Sequence, residues 1–464
     1  MSFRRALSFY DVTNMTVGAI IGADIYIAAA ITAGLMGPAS LLAWTLAGVL
    51  AILLALTLAE CARLVPEVGG PYAYTARAFG RFPGFLAGWS MWVAELTAMP
   101  VFAIAFTNYL GYFVDIDHLA THTIRIAFIT VLTAVNVRSV RAAGRFNDVL
   151  TALKLAPLVL LVVGGGVYAV LHYDSVTDHL TPFAPLGWSE FPTALVLVFW
   201  AYVGFELSTV PSGEVENPSR TIPRALTTGI LIVTVFYLST NFILYALVDH
   251  NDLAGSSRPL VLAGSVVFGS AGAMIISAGA MVSVSGSDES DMLGSSRLGY
   301  AMAADGLLPH SLAAIHGRYG TPHVALITQA CLASALTFVD RMADLISFAV
   351  FNLAFSFLLC ALALLRLHRA PALPLPAWRR LLPLFGAGIS VGLIVATSTQ
   401  DKLIGAGVLA VGAAVHLLFA PGQELPQKLE HITHVDAVLE RLARHRMRFL
   451  GGPLGWLAGK RTPP

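Results

Sequence analysis

Charge is scarce in this sequence. Only 12% of its 464 residues are Asp, Glu, Lys or Arg, about half the share of a soluble domain. So few charges cannot cover a water-facing surface, which excludes an ordinary soluble globular protein. Cysteine is scarcer still: Cys61, Cys331 and Cys360, all in apolar stretches. They make neither a disulfide framework nor a close-spaced metal motif, and read as buried thiols. His-Glu-x-x-His, a phosphate-binding loop and the paired aspartate motifs of an intramembrane protease are all absent from the spans. No enzyme, cofactor, bound metal or nucleic-acid partner is expected. A cleavable signal peptide is not expected either. The first apolar run, from Val12 to Leu35, is too long for a signal core, lacks a small-residue cleavage site and is followed by another span.

Hydrophobic residues make up 56% of the chain, and the mean hydropathy is +0.74. A membrane span takes about 20 apolar residues. Runs of that kind lie near 12–35, 39–63, 83–114, 123–138, 147–171, 191–211, 224–248, 261–294, 322–340, 343–367, 380–398 and 402–420. They predict an all-α membrane protein of about twelve transmembrane helices over residues 12–420. Residues 1–11 precede it. A polar, basic tail over 421–464 follows, with an amphipathic pattern from Val435 to Phe449. With the first residue inside, 23 of the 28 Lys and Arg residues fall on one side. Arg125, Arg258, Arg341 and Lys402 fall on the other, and Lys154 falls inside a span. The positive-inside rule then predicts cytoplasmic N- and C-termini in a bacterial-type inner membrane.

Two spans are interrupted by glycine, at GAIIGAD (18–24) and AYVGFELS (201–208). Glycine weakens a helix by about 1 kcal/mol relative to alanine, so a break there comes easily. Unwound backbone at mid-membrane is tolerated only where it lines a cavity or meets a ligand. A lone glycine would serve close helix packing equally well. Paired interruptions at corresponding places in the two halves point to a site.

Four stretches carry a wider likeness: PEVGGPYAYTARAFG (66–80), FWAYVGFELSTVPSGEVENPSRTIPRAL (199–226), SSRLGYAMAADGLLP (295–309) and HGRYGTPHVAL (316–326). Together they resemble the amino acid–polyamine–organocation (APC) family of permeases, over roughly residues 7–420. The resemblance implies two inverted five-helix repeats, about 12–171 and 191–367, with two further helices over about 380–420. It implies broken helices 1 and 6 and alternating access of a small solute to a midplane site. At that site it places Gly22, Ala23, Asp24 and Tyr26 of helix 1. Trp200, Tyr202, Gly204, Phe205 and Glu206 of helix 6 join them, the aromatic rings being suited to holding an ammonium group or to ordinary packing.

One departure is informative. Permeases of this family use a small-residue, Gly-x-Gly stretch whose N–H groups hold the substrate's α-carboxylate. Here it reads Gly22-Ala23-Asp24. A second carboxylate beside an ionised Asp24 would meet strong repulsion. Either Asp24 is protonated, or it points elsewhere, or it binds an amine, as the helix 1 aspartate does in related monoamine symporters. Further acids are Glu95 in helix 3, Glu206 in helix 6, and Asp288, Glu289 and Asp291 in helix 8. Asp288 and Asp291, three apart, share a helix face. A helix 8 that starts late would instead leave these acids in a wet vestibule. Each unpaired charge at mid-depth costs at least about 2.5–3.5 kcal/mol, and Lys154 alone cannot neutralise six carboxylates. Asp24, Glu95, Glu206, Asp288 and Asp291 are therefore candidate cation-binding groups. Glu60 is expected to pair with Arg63 or a loop arginine.

Some APC members carry a lysine in helix 5 where sodium-coupled relatives hold the ion, and Lys154 matches that position. The resemblance thus implies sodium-independent transport, with Lys154 and Asp288 as candidate ion-coupling residues. The expected substrate is a small organic cation, an amine, diamine, polyamine or cationic amino acid, moved with protons or by exchange. The alternatives are an ordinary amino acid carrier in which Asp24 does not touch the substrate, a divalent-metal carrier, and a sensor that keeps the fold.

Overall fold

The structure, a computed structural model, describes residues 7–67, 69–138, 141–209, 215–339, 341–368 and 377–419. The tail expected after Pro421, with its stretch Val435–Phe449, lies outside the described residues. Among the described residues all regular secondary structure is helical, apart from one isolated parallel bridge between Leu7 and Val215.

The helices, in chain order, are α1 (Phe9–Ile20), α2 (Ala23–Met36), α3 (Ser40–Leu64), α4 (Pro71–Phe79), α5 (Arg81–Leu110), α6 (His118–Arg138), α7 (Arg141–Leu171) and α8 (Tyr173–Leu180). They continue with α9 (Phe191–Trp200), α10 (Pro218–Leu247), α11 (His250–Ala254), α12 (Pro259–Ala304), α13 (His323–Leu336), α14 (Met342–Leu367), α15 (Ala377–Ala396) and α16 (Thr399–Phe419). Each of the twelve apolar runs falls on helix. Among the described residues nine stretches are long and apolar enough to cross a membrane, the first of them spanning α2 and α3 together. Two runs form the shorter apolar helices α9 and α13. The short helices α4, α8 and α11 connect them.

The first run is split. Ile21 leaves the helix at φ −74°, ψ 96°, and Gly22 follows at φ −138°, ψ −137°. A side chain at position 22 would lie 2.8 Å from the Ser287 Cβ, so a close approach of α12 requires glycine. The sixth run is split as well. Its helix α9 ends at Trp200 and passes through turns to a short 3-10 segment, Leu207–Thr209. At Gly204 φ is +115°, a conformation open to glycine and disfavoured for other residues. The two breaks touch: a Cβ on Gly204 would sit 3.0 Å from the backbone of Ala19.

Helix α5 is the most enclosed span, packed between α12 and α14, while α6, α15 and α16 present much of their surface outward. Lipid-facing helices carry exposed Val, Leu and Phe, as a bilayer solvent requires. Helix α12 runs 46 residues, with non-helical backbone at Gly269 (φ 60°, ψ −148°). Packing brings its middle against α5, α7 and the α1–α2 break.

Candidate functional site

Breaking a helix inside a membrane strands carbonyl oxygens, and each one left bare costs several kcal/mol. Three other helices answer them here. From α7, Lys154 Nζ donates to the Gly18 carbonyl in a short hydrogen bond and reaches Ser287 Oγ at 3.4 Å. From α12, Ser287 Oγ donates to the carbonyls of Ile21 (2.8 Å) and Gly18 (3.2 Å), and Ser283 Oγ lies 3.4 Å from the Ile21 carbonyl. From α10, the Tyr237 hydroxyl donates to the Ile20 carbonyl at 3.0 Å. Lys154 is fully buried at this junction. Asp24 is the acid whose charge acts on it most strongly, followed by Glu289. Snorkelling of Lys154 to the membrane surface is thereby ruled out.

The sixth-helix break is answered differently. Both oxygens of the Glu206 carboxyl accept the Gly204 N–H, at 3.0 and 3.1 Å. Thr16 Oγ1 on α1 donates to Ser208 Oγ at 3.2 Å, tying the two breaks together.

Between the breaks lies a cavity lined by Asp24, Glu95, Phe102, Trp200, Gly204 and Asp291, with apolar neighbours from α1, α5, the α9 turn and α14. It measures about 20 Å³, room for about one water. Three of its wall residues are acids and none is a cation. Asp24, only 4% exposed, sits in the first turn of α2, two residues after the break at Gly22. Glu95 on α5 and Asp291 on α12, 3% and 6% exposed, both line this cavity. Glu95 Oε1 and both carboxyl oxygens of Asp291 are buried with no hydrogen-bond partner among the described residues.

Of the expected substrate residues, Asp24, Glu95, Trp200, Gly204 and Asp291 meet at this cavity. The others stand behind it. Gly22 lies in the break and Ala23 opens α2. The ring of Tyr26 packs edge-on against Tyr109, whose hydroxyl donates to the Tyr26 carbonyl at 2.9 Å. Tyr202 donates to the Trp44 carbonyl at 3.0 Å, and Phe205 stacks on Phe357. Glu206 is engaged by Gly204. Asp288 is fully buried, like its neighbours Glu289 and Asp291, so the helix 8 acids are not in a wet vestibule. It does not line the cavity, and no donor among the described residues meets either of its oxygens.

Two contributors escaped the sequence reading. Phe102 faces Trp200 across the cavity, ring centroids 6.1 Å apart, and one phenylalanine in an apolar helix gives no signal. Ser287 satisfies two stranded carbonyls, and its place beside the acid cluster was the available hint.

Comparison with known proteins agrees with this architecture. Residues 7–420 match the model of the amino acid permease family. The branched-chain amino acid permease BcaP of Bacillus subtilis (strain 168) is 27% identical, over 80% of this chain and 83% of its own length. The methylthioribose transporter of the same organism is 27% identical over 92% and 96% of the two chains. Its serine/threonine exchanger SteT is 27% identical over 84% and 90%. This chain is an integral membrane transporter, not an enzyme, and it belongs to the amino acid permease family.

Proposed function

We propose that the protein carries a small organic cation across a bacterial-type inner membrane by alternating access, without sodium and coupled to protons or to exchange. An amine, diamine, polyamine or cationic amino acid fits this description. The cavity wall carries the reading: three carboxyls, two aromatic faces and no positive side chain among the described residues. A carboxylate-bearing substrate would need free N–H groups at the helix 1 break. Asp24 puts the chain's own carboxyl in the first turn of α2, right after the break, so the chain supplies an acid where the substrate's would go. An ammonium group entering the cavity meets carboxylates and the ring faces of Phe102 and Trp200, an arrangement worth about 0.5–2 kcal/mol from the rings alone. Lys154, hydrogen-bonded to the first break, fills the place of a coupling sodium ion.

The relatives favour a second reading, because two are named for neutral amino acids, branched-chain and serine/threonine. In that case Asp24 stays in the first turn of α2 and never touches the solute. Uptake into proteoliposomes, with thermal shift as a binding check, separates the two over a panel of amines and amino acids. The cation reading expects Asp24→Asn to abolish uptake of amines that lack a carboxylate. A wild type preferring neutral amino acids, with Asp24→Asn improving their uptake or leaving it unchanged, would refute it.

A further inference from the structure

We infer that Glu95 and Asp291 hold a shared proton that the substrate's ammonium group displaces, so that cation binding and proton release occur at one site. This rests on the cation reading above and adds where the coupling proton resides.

The geometry sets the proton count. Among the described residues, no amide, hydroxyl, ammonium or guanidinium group donates to Glu95 Oε1 or to either carboxyl oxygen of Asp291. What shares the cavity wall with Glu95 is other carboxyls, Asp291 and Asp24. An ionised carboxylate only accepts hydrogen bonds, so two carboxyls bond to each other only through a proton on one of them. Two buried acids lining one water-sized cavity, with no donor on these oxygens, therefore hold one proton between them and one negative charge. Glu206 is fixed by the Gly204 N–H on both oxygens. Asp291 has no such anchor, and with Glu95 it forms the cavity wall.

The exchange balances. The pair Glu95–Asp291 begins with one proton and one negative charge. An entering R–NH₃⁺ donates hydrogen bonds to both carboxylates, one proton leaves to water, and the pair with its guest again carries a charge of −1. A water-poor site that keeps its charge constant avoids the large penalty of charging or discharging in low dielectric. The other charged groups around the pair are Asp24 on α2, Lys154 on α7, Glu206 after α9, and Asp288, Glu289 and Arg297 on α12. Lys154 is less suited to the role, because its Nζ is committed to the Gly18 carbonyl at the helix break.

The test uses the purified full-length protein in detergent, titrated calorimetrically with n-butylamine and 1,4-diaminobutane in two buffers of different ionisation heat. The expected result for wild type is release of about one proton per ammonium bound, with affinity rising about tenfold per pH unit in the range where the pair is protonated. Glu95→Gln, which gives Asp291 an amide donor, should bind amine with no proton release and a flat pH profile. Amine binding to wild type with equal heats in both buffers would overturn the inference and leave the cation reading standing. No amine binding, alongside binding of neutral amino acids, would overturn both. If Glu95→Gln does not fold, the wild-type proton count still decides.

Discussion

Gly204 sits at φ +115°, with the backbone carbon and oxygen of Ala19 each 3.0 Å from where a Cβ would be. Alanine there meets backbone strain of about 1–3 kcal/mol and a wall that cannot turn aside, because it is main chain rather than a flexible side chain. Gly204→Ala is expected to lower the thermal midpoint and stop transport together, since it pushes the two breaks apart. Gly166 on α7 has nothing within 4 Å of its Cβ position, and Gly166→Ala should be neutral or stabilise by about 0.5–1 kcal/mol. Thermal melts of both variants in detergent, with uptake in proteoliposomes, check the contrast; equal behaviour would mean the helix breaks do not depend on close approach. At this scale the sequence was legible where a residue contradicted its surroundings. Asp24 and Lys154 stand out as charges in apolar runs. Phe102 and Ser287 do not, because a phenylalanine or serine in a membrane helix looks like packing until its neighbours are known. Asp288 and Asp291 were read as one face. Three residues of helix turn through about 300°, which leaves them about 60° apart, and that offset puts only Asp291 on the cavity.

Elements are held together at one end of the bundle by a single acid. Glu60, near the end of α3, accepts from Arg63 Nε (3.0 Å) and Nη2 (2.6 Å), as its spacing suggested. His368 Nε2, just past α14, lies 3.5 Å away, and Arg379 Nη1 at the start of α15 lies 3.6 Å away. Burial pushes His368 below the ordinary histidine value, and the Glu60 charge offsets part of that shift. A depressed histidine means the folded state binds fewer protons than the unfolded one. Its contribution to stability is therefore intact above the unfolded value of about 6.5 and is lost as pH falls through the lower folded value. Wild-type thermal midpoints should fall from pH 7.5 to 5.5, and His368→Gln should flatten part of that slope. Parallel slopes would place the pH sensitivity elsewhere. Helices themselves were legible wherever hydrophobicity alone defines them, as in α3, predicted over 39–63 and found at Ser40–Leu64. The end of α12 was not. Residues 295–304 are too mixed to read as a span, yet they stay helical because Gly299 packs on Trp92 and Met302 on Gly88 of α5.

For the whole molecule, the question is what opens a cavity of about 20 Å³ that no organic solute can enter as it stands. The two broken helices meet at Gly204 and Ala19, and α7, α10 and α12 converge on the carbonyls of the first break. Motion of α1 and α2 must therefore exchange those hydrogen bonds for others. In a sodium-coupled carrier an ion would bridge the broken helix and its neighbours. Here Lys154 Nζ and Ser287 Oγ already occupy that junction, with the Gly18 and Ile21 carbonyls as their partners. A cation entering would have to displace a lysine anchored in α7 and then sit beside it, at a repulsion of several kcal/mol even for an effective dielectric constant of about 20. Uptake into proteoliposomes should thus proceed at the same rate with sodium replaced by choline and should respond to an imposed pH gradient. Lys154→Ala leaves the Gly18 carbonyl to Ser287 alone, so it should cut uptake at least tenfold and lower the thermal midpoint. Restoration of Lys154→Ala uptake by sodium would support the substitution of ion by lysine in detail, whereas a strict sodium requirement in wild type would show that the lysine does not stand in the ion's place.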